Sequence, residues 1–428
     1  MLAVLTVAGA AGGWWAYRSL EGNIHSADLD DRLGHTRPAN TSPGSMNILV
    51  VGSDSRDGTG GEYGKGLETM QSDTLMVVHL PRNREWATVV SFPRDSWVQI
   101  PACDRGDGTE SAPHKFKINE SFAIGGSTGD VAGAAACTIK TLEHNTGLRI
   151  DHFVSVDFQG FKGMVNALGG IEICPEEPIR DDKAHLYLEA GCQTIKDEDA
   201  LGYVRARYGI GDGSDTGRIG RQQEFMRALV AKAKAELTNP AALYDFLDSA
   251  TASLTTDRDL AGIKPLYDLA STVQDIPRDR LTFLTVPNYP READVPSDKA
   301  NVVWQYPQAR RLFTALADDE EVDKAALEAE TADPLYASRV RVRVLNGTGA
   351  PGQAGEVAEE LRAAGFTVVS VGNADQDAEA TSVTHPAGLE RQARVLASRL
   401  PGAGAEQDGD AAPGVVTLTI GTDYDRLR

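Results

Sequence analysis

The chain reads as α/β. A layered α/β/α domain with a mixed central sheet is followed by a smaller C-terminal α/β domain, and three observations predict this. Apolar runs of strand length alternate with helical patterns from Met46 to about residue 315. Two of those runs, "DTLMVVHL" and "WATVVSFPRD", flank the turn "PRNRE" and form a hairpin, so antiparallel pairing enters the sheet. An acidic, alanine-rich stretch at 317–337 then separates this region from a second strand–turn–helix–strand pattern. A length of 428 residues also exceeds one ordinary core.

Residues 1–18 begin with an uncharged run from Met1 to Tyr17, closed by Trp14, Trp15 and Tyr17 before Arg18. The aromatic group has the composition of an interfacial belt, so this segment is read as a membrane anchor. It is short for a span and has no basic flank before it, and a cleaved signal peptide is the competing reading. Residues 19–45 are polar, with Pro38, Pro43 and Gly44, and read as a stalk. The catalytic-type domain is placed at 46–316. Its first strand, "MNILVVGSD", ends in a turn and is followed by the glycine-rich "GTGGEYGKG". After the hairpin come a helix over Asp130–Asn145, the strand "HFVSVDF" and a helix closed by glycine in "FQGFKGMVNALGG". "IEICPEEPI" to "LEAGCQTI" reads as an irregular hairpin, "KDEDALGYVRAR" as a helix, and Arg218–Leu237 as a second helix with Met226, Leu229, Val230 and Ala233 on one side. The linker is 317–337 and the small domain 338–422. Its "NGTGAPGQAG" lacks the Gly-Lys-Ser/Thr ending of a P-loop and reads as a tight turn before a helix.

The four cysteines, Cys103, Cys137, Cys174 and Cys192, contain no C-x-x-C pair, which argues against zinc. With an export signal, two disulfides are expected. Of three pairings, Cys174–Cys192 with Cys103–Cys137 is favoured; four buried thiols remain the alternative.

A net charge of −20 argues against a nucleic-acid partner. Within that acidic chain, "VRARYGIGDGSDTGRIGRQQEF" gathers Arg205, Arg207, Arg218 and Arg221 beside Asp212, Asp215 and Gln222. Arg205 and Arg207 alternate as an extended segment leaving a helix would place them. Arg218, Arg221, Gln222 and Phe225 share a face at helical spacing, with Asp215 or Thr216 as the cap. Planar guanidinium forks match phosphate oxygens in pairs, and a helix N-terminus adds backbone donors. Four forks exceed the needs of one phosphate, so a diphosphate is the economical ligand. If the first strand pairs antiparallel with the second, Asp54, Asp73 and Arg94 join one edge; two carboxylates beside arginines suit a hard divalent cation. Surface salt bridging by Asp212, Asp215 and Glu224 is the bland alternative.

Seven motifs stand in order: "NILVVGSDSR", "SDTLMVVHL", "VVSFPRDSWVQIP", "HKFKINESFAIGG", "HFVSVDFQGFKGMVNALGGIEI", "LEAGCQTIKDEDALGYVRAR" and "DTGRIGRQQEFMRAL". Together they resemble the catalytic domain of the LytR-CpsA-Psr family over Met46–Leu237. "VRVRVLNGTGAPGQAGEVAEELRAAGF" is similar to the LytR C-terminal domain attached in actinobacterial members. The resemblance implies a phosphotransferase outside the cytoplasm, held in the cell membrane by one N-terminal helix. Such an enzyme moves a glycopolymer, of the teichoic acid or arabinogalactan kind, from a polyprenyl-diphosphate carrier to peptidoglycan through a phosphodiester. It also implies magnesium at Asp54 and Asp73. Diphosphate binding is implied for Arg94, Arg205, Arg207, Arg218 and Arg221, with Asp215 and Gln222 around them and Lys117 and Asn119 of "KIN" lining the site. Catalytic roles fall to Asp54, Arg56 of "GSDSR", Arg94 and Arg218. The long "DGTGGEYGKGLETMQ" insert departs from the family pattern, as does the short N-terminus.

These expectations lead to a mechanism in which an acceptor hydroxyl attacks the sugar-side phosphorus, with Asp54 or a nearby aspartate as base. The lipid tail would lie along Met164, Val165, Leu168, Phe225, Met226 and Leu229, unless those six are simply core. A polyprenyl-diphosphate diphosphatase and a non-catalytic envelope regulator are the alternatives.

Overall fold

The computed structural model describes residues 18–53, 70, 72–207, 215–236 and 240–427. Asp54, Arg56, Asp212 and most of the insert lie outside these residues, as does the apolar run to Tyr17. The backbone of Asp73 and Asp215 is described but their side chains are not.

The chain forms two compact units. The first comprises the chain through Arg94, 100–285 and 316–321; the second comprises 95–99, 286–315 and 322–428. Seven strands form the sheet of the first unit: β1 (His25–Ala27), β2 (Met46–Ser53), β3 (Ser72–Leu80), β4 (Ala87–Ser91), β5 (His152–Asp157), β6 (Leu254–Asp257) and β7 (Leu281–Thr285). Their order is β1-β6-β5-β2-β3-β4-β7. The sheet is mixed, as expected. β2 runs parallel to β5, and β4 to β7, while β2–β3 and β3–β4 are antiparallel. Both faces of the central strands are covered, which is why β2 and β3 are near-continuous apolar runs. Leu49, Val51 and Val77 are fully buried on one face, and Ile48, Val50, Met76 and Val78 pack into apolar clusters on the other.

Helices α1 (Glu120–Gly125), α2 (Val131–Thr146), α3 (Phe158–Ala167), α4 (Asp197–Arg205), α5 (Asp215–Glu236), α6 (Pro240–Ser253) and α7 (Ile263–Asp275) complete the layers. Local chemistry sets their ends. Asp130 caps α2 by accepting the Ala132 N–H at 2.9 Å, and Asp157 caps α3 by accepting the Gly160 N–H at 2.7 Å. Gly169 and Gly170 after α3 have φ of 76° and 96°, which a side chain would resist. The irregular hairpin resolves into two ribbons, 171–173 with 193–195 and 179–181 with 186–188.

Part of the segment read as a stalk is folded onto this unit. β1 pairs with β6, Leu29 and Leu33 are buried, and Arg37 donates to both oxygens of buried Glu143. Polar composition suggested a solvated segment, but its few apolar residues and a bidentate ion pair bring it down. Among the described residues no helix is long and apolar enough to cross a membrane.

Both favoured disulfides are present, Cys103–Cys137 and Cys174–Cys192. They close loops of 34 and 18 residues. By loop-closure entropy, replacing either pair by serines should cost about 3–4 kcal/mol, read as a lower urea midpoint without loss of β-sheet signal.

β5 and β6 are also joined by His152 and Asp257, with Nδ1 and Oδ1 3.2 Å apart. The bond to Asp257 lifts His152 above its usual 6.5 against the effect of burial. Burial pushes Asp257 up, but the bonds from His152 and the Phe153 N–H outweigh it and hold the carboxyl below 3.8. A raised histidine stabilises fully below its unfolded value and loses this as pH rises through the folded one. A depressed carboxyl stabilises above its unfolded value and loses this as pH falls. The pair should therefore contribute most between about pH 4 and 6.5. An Asp257→Asn variant should show its largest urea-midpoint deficit near pH 5 and a smaller one at pH 8.

In the second unit the sheet runs β9-β8-β12-β10-β11, with β8 (Arg341–Asn346), β9 (Thr367–Asn373), β10 (Ser382–His385), β11 (Ala405–Gln407) and β12 (Val416–Ile420). Helices α8 (Gln353–Ala363) and α9 (Glu390–Ala397) pack on it around Val342, Val344, Leu361, Leu396 and Leu418. The range 317–337 contains a helix, Lys324–Thr331, capped by Asp323.

Candidate functional site

Register decides what shares an edge. Ser53, which precedes Asp54, pairs with Ser72, which precedes Asp73; Ser53 also pairs with Asp157 of β5. Ser91 of β4 pairs with Met76 and with Thr285. The carboxyl ends of β2, β4, β5 and β7 and the start of β3 therefore lie along one side of the sheet, where ligands of α/β sheets bind. Arg94 follows β4 by three residues.

At this edge Arg94, Arg205, Arg207 and Arg218 line one cavity of about 310 Å³, together with Asp181, Lys183 and Ala184. Among the described residues its lining holds five cations and one carboxylate, in a chain of net charge −20. Cations gathered this closely attract anions and fixed dipoles. Arg218 is 2 % exposed and sits in the first turns of α5, so the helix start adds its own positive potential. Arg205 ends α4 with its guanidinium 4.7 Å from the centre of the Phe158 ring. Arg207 follows in the extended segment, its backbone N–H donating to Asp181 at 2.7 Å.

Asp181 and Lys183 were not legible in the sequence as site residues. The Asp181 carboxylate, 2 % exposed, also accepts the N–H groups of Lys183 at 3.0 Å and Ala184 at 3.1 Å. One buried anion thus fixes two remote segments that carry cations. The only available signal was "IRDDK", an acidic turn indistinguishable from an ordinary surface one.

The other expected residues play supporting parts. Arg221 donates to the Ala206 carbonyl, and Gln222 Nε2 to the Val204 carbonyl at 2.9 Å, so both brace the segment that carries Arg205 and Arg207 and neither lines the cationic cavity. Neighbouring Gln223, buried, donates to Ser91 Oγ and Thr285 Oγ1, both at 3.1 Å, and ties α5 to the sheet edge. Lys117 and Asn119 do not line the cavity either; the Asn119 N–H reaches the Arg94 carbonyl at 3.3 Å. No group of three metal-ligating side chains occurs among the described residues, to which the side chains of Asp54 and Asp73 do not belong.

A second cavity, about 140 Å³ and mostly apolar, lies between the sheet and helices α3 to α5. Val50, Met76 and Val156 form its floor, and Phe161, Met164, Met226 and Leu229 its roof. Arg205 lines both cavities. Of the six residues expected to hold a lipid tail, Met164, Met226 and Leu229 line this space; Val165, Leu168 and Phe225 are buried core. Helical spacing put all six on inner faces but could not separate core from cleft.

Fold and site together define an α/β protein with a cation-lined cavity at the carboxyl edge of its sheet, beside an apolar cleft. The chain belongs to the LytR_cpsA_psr family, whose model matches residues 16–316. The model described as LytR cell envelope-related transcriptional attenuator matches 339–424. The probable cell wall biosynthesis protein LcpB of Corynebacterium glutamicum is 39% identical over 238 residues, 53% of this chain and 51% of that protein. The match therefore spans about half of that relative's length. The cell wall biosynthesis protein LcpA of the same organism is 29% identical over 87% of this chain and 74% of its own. TagT of Bacillus subtilis, a polyisoprenyl-teichoic acid–peptidoglycan teichoic acid transferase, is 26% identical over 64% of this chain and 82% of its own. Among solved structures, protein gbs0355 from Streptococcus agalactiae shares the fold with a TM-score of 0.52, at 20% identity over 65% of this chain and 90% of that one. The LytR-Csp2A-Psr enzyme from Actinomyces oris gives 0.50, at 21% identity over 69% and 96%.

Proposed function

We propose that this chain transfers an anionic glycopolymer from a polyprenyl-diphosphate carrier to peptidoglycan, forming a phosphodiester. The observation that carries this reading is Arg205, which stands where the cationic cavity meets the apolar one. A diphosphate joined to a hydrocarbon chain presents charge and apolar surface in that order. Family membership supports the reading, as do relatives named for teichoic acid transfer.

Arg94, Arg207 and Arg218 would grip the non-bridging oxygens, with Arg205 at the lipid side. An acceptor hydroxyl attacks the sugar-side phosphorus and a new P–O bond forms. The bond from that phosphorus to the bridging oxygen breaks, and polyprenyl phosphate leaves with the electron pair. The hydroxyl proton passes to a base, for which Asp54 is the candidate. The guanidiniums stabilise charge growing on the bridging oxygen. Two carboxylates whose preceding residues are register partners are a fitting hard donor set, so Asp54 and Asp73 are the residues that would hold magnesium, which when bound adds charge neutralisation at the phosphates. The apolar run before Arg18 would tether the chain to the membrane, with the site outside the cytoplasm.

The test supplies labelled lipid-linked polymer with and without peptidoglycan. Transfer places label on peptidoglycan only when the acceptor is present. Equal release of phosphorylated polymer into water without it would replace this reading by the diphosphatase one. Chelating divalent cations should lower turnover at least tenfold, with recovery on adding magnesium; unchanged turnover would remove the metal assignment.

A further inference from the structure

The second unit contains a larger cavity, of about 660 Å³, that the proposed chemistry does not use. One wall is α9 and its end, where Arg391, Arg394, Val395 and Ser398 recur at helical spacing. The facing wall carries Arg310 and Arg311. Four arginines meet two carboxylates, Glu330 and Asp333. Arg311 pairs with Glu330, and Arg391 with Asp333 at 3.2 Å. Arg310 donates to the carbonyls of Ala397, Ser398 and Leu400 at 3.3, 3.2 and 2.8 Å, which holds the walls together without a carboxylate. Arg394 makes no ion pair among the described residues, although Glu390 one turn earlier feels its charge. Among the lining side chains themselves, arginines outnumber carboxylates by two.

Gln308 adds a different signal. Its Nε2 donates to the Glu330 carbonyl at 3.1 Å, while Oε1 is buried and accepts no hydrogen bond among the described residues. Gln308 thus places its amide in the wall, tied to the stretch of backbone that carries Glu330. Tyr306, Leu335 and Ala403 contribute apolar surface. Guanidinium forks, carboxylates that accept from hydroxyls and apolar patches are what a sugar carrying an acid group requires, and the volume suits a small oligosaccharide.

We infer that this cavity is a second, non-catalytic binding site for an acidic sugar unit. The choice of a sugar over a simple anion rests on the proposed function. The oxyanion is the carboxylate of an acceptor glycan or the phosphate of a donor polymer. The experiment titrates the full chain, as the Arg218→Ala variant to silence the first cavity, with three soluble probes. These are the N-acetylglucosamine–N-acetylmuramic acid disaccharide, a glycerol phosphate oligomer and neutral chitobiose. Saturable binding of at least one acidic probe, at least tenfold tighter than chitobiose, is expected; the stronger acidic probe names the source. Adding Arg394→Gln should weaken that probe at least tenfold. Should Arg394→Gln shift the melting midpoint, Arg394→Lys, which keeps the charge and loses the fork, serves with the same expectation. No binding of either acidic probe, equal binding of chitobiose, or full affinity in the Arg394 variants overturns the inference. Transfer is assayed in parallel on the chain carrying only Arg394→Gln, with a short acceptor, and is expected to be unchanged. Binding without transfer in the parent chain would remove the proposed function alone, and transfer without binding would remove this site alone.

Discussion

An Arg218→Ala variant should transfer about 100- to 1,000-fold more slowly than the parent chain, the range seen when one preorganised donor to a developing anion is removed. Arg218 is 2 % exposed and shares its cavity with Arg94, Arg205 and Arg207, so water cannot replace the lost fork as it would at a surface. Arg218→Lys keeps the charge and loses bidentate geometry, and a loss of about tenfold is expected. Initial rates on labelled lipid-linked polymer at saturating acceptor read both, with melting midpoints to check folding. A normal rate in the alanine variant would end the diphosphate assignment.

The second large effect is expected at Asp181, which touches no substrate in the proposed scheme. Its buried carboxylate gathers the N–H groups of Lys183, Ala184 and Arg207, which are themselves half-buried. Asp181→Ala removes the shared acceptor of three half-buried donors, and a stability loss of about 1–3 kcal/mol is expected. Transfer should fall about 100-fold as well, because Lys183 and Arg207 lose their common anchor and small misplacement of binding groups is expensive in rate. Asp181→Asn separates the two roles. Oδ1 accepts Lys183 and Ala184 while Oδ2 accepts Arg207, so an amide can retain only one of the two segments. An intermediate stability with a rate nearer that of alanine would show that holding both segments at once is what matters. Parent-like rates in both variants would remove Asp181 from the account.

The central strands and most helices were legible because their signals are local. Alternation and length marked β2 to β5, and Asp130 and the glycines after Ala167 marked helix ends. β1, β6 and β7 were not read as strands. They are three to five residues long, and they pair with strands far away in the chain, so pairing rather than propensity makes them extended. Arg205, Arg207 and Arg218 were legible as residue types concentrated in an acidic chain, and Arg94 from the sheet edge its strand reaches. Arg221 and Gln222 were chosen with the same cluster, and Lys117 and Asn119 on the family resemblance, yet none of the four lines the cavity, a distinction that spacing does not contain.

Composition and order in the chain determined the α/β class, the family and the concentration of arginines around residues 205–221, because charge, periodicity and turn chemistry are carried by each segment on its own. Tertiary structure alone decided that Arg94, Arg205, Arg207 and Arg218 face one space, that Asp181 holds the segments presenting them, and that Met164, Met226 and Leu229 line a cleft while Val165, Leu168 and Phe225 fill the core. Those assignments depend on strand register and on the close approach of residues as far apart in the chain as Val50 and Leu229, and no single segment encodes either.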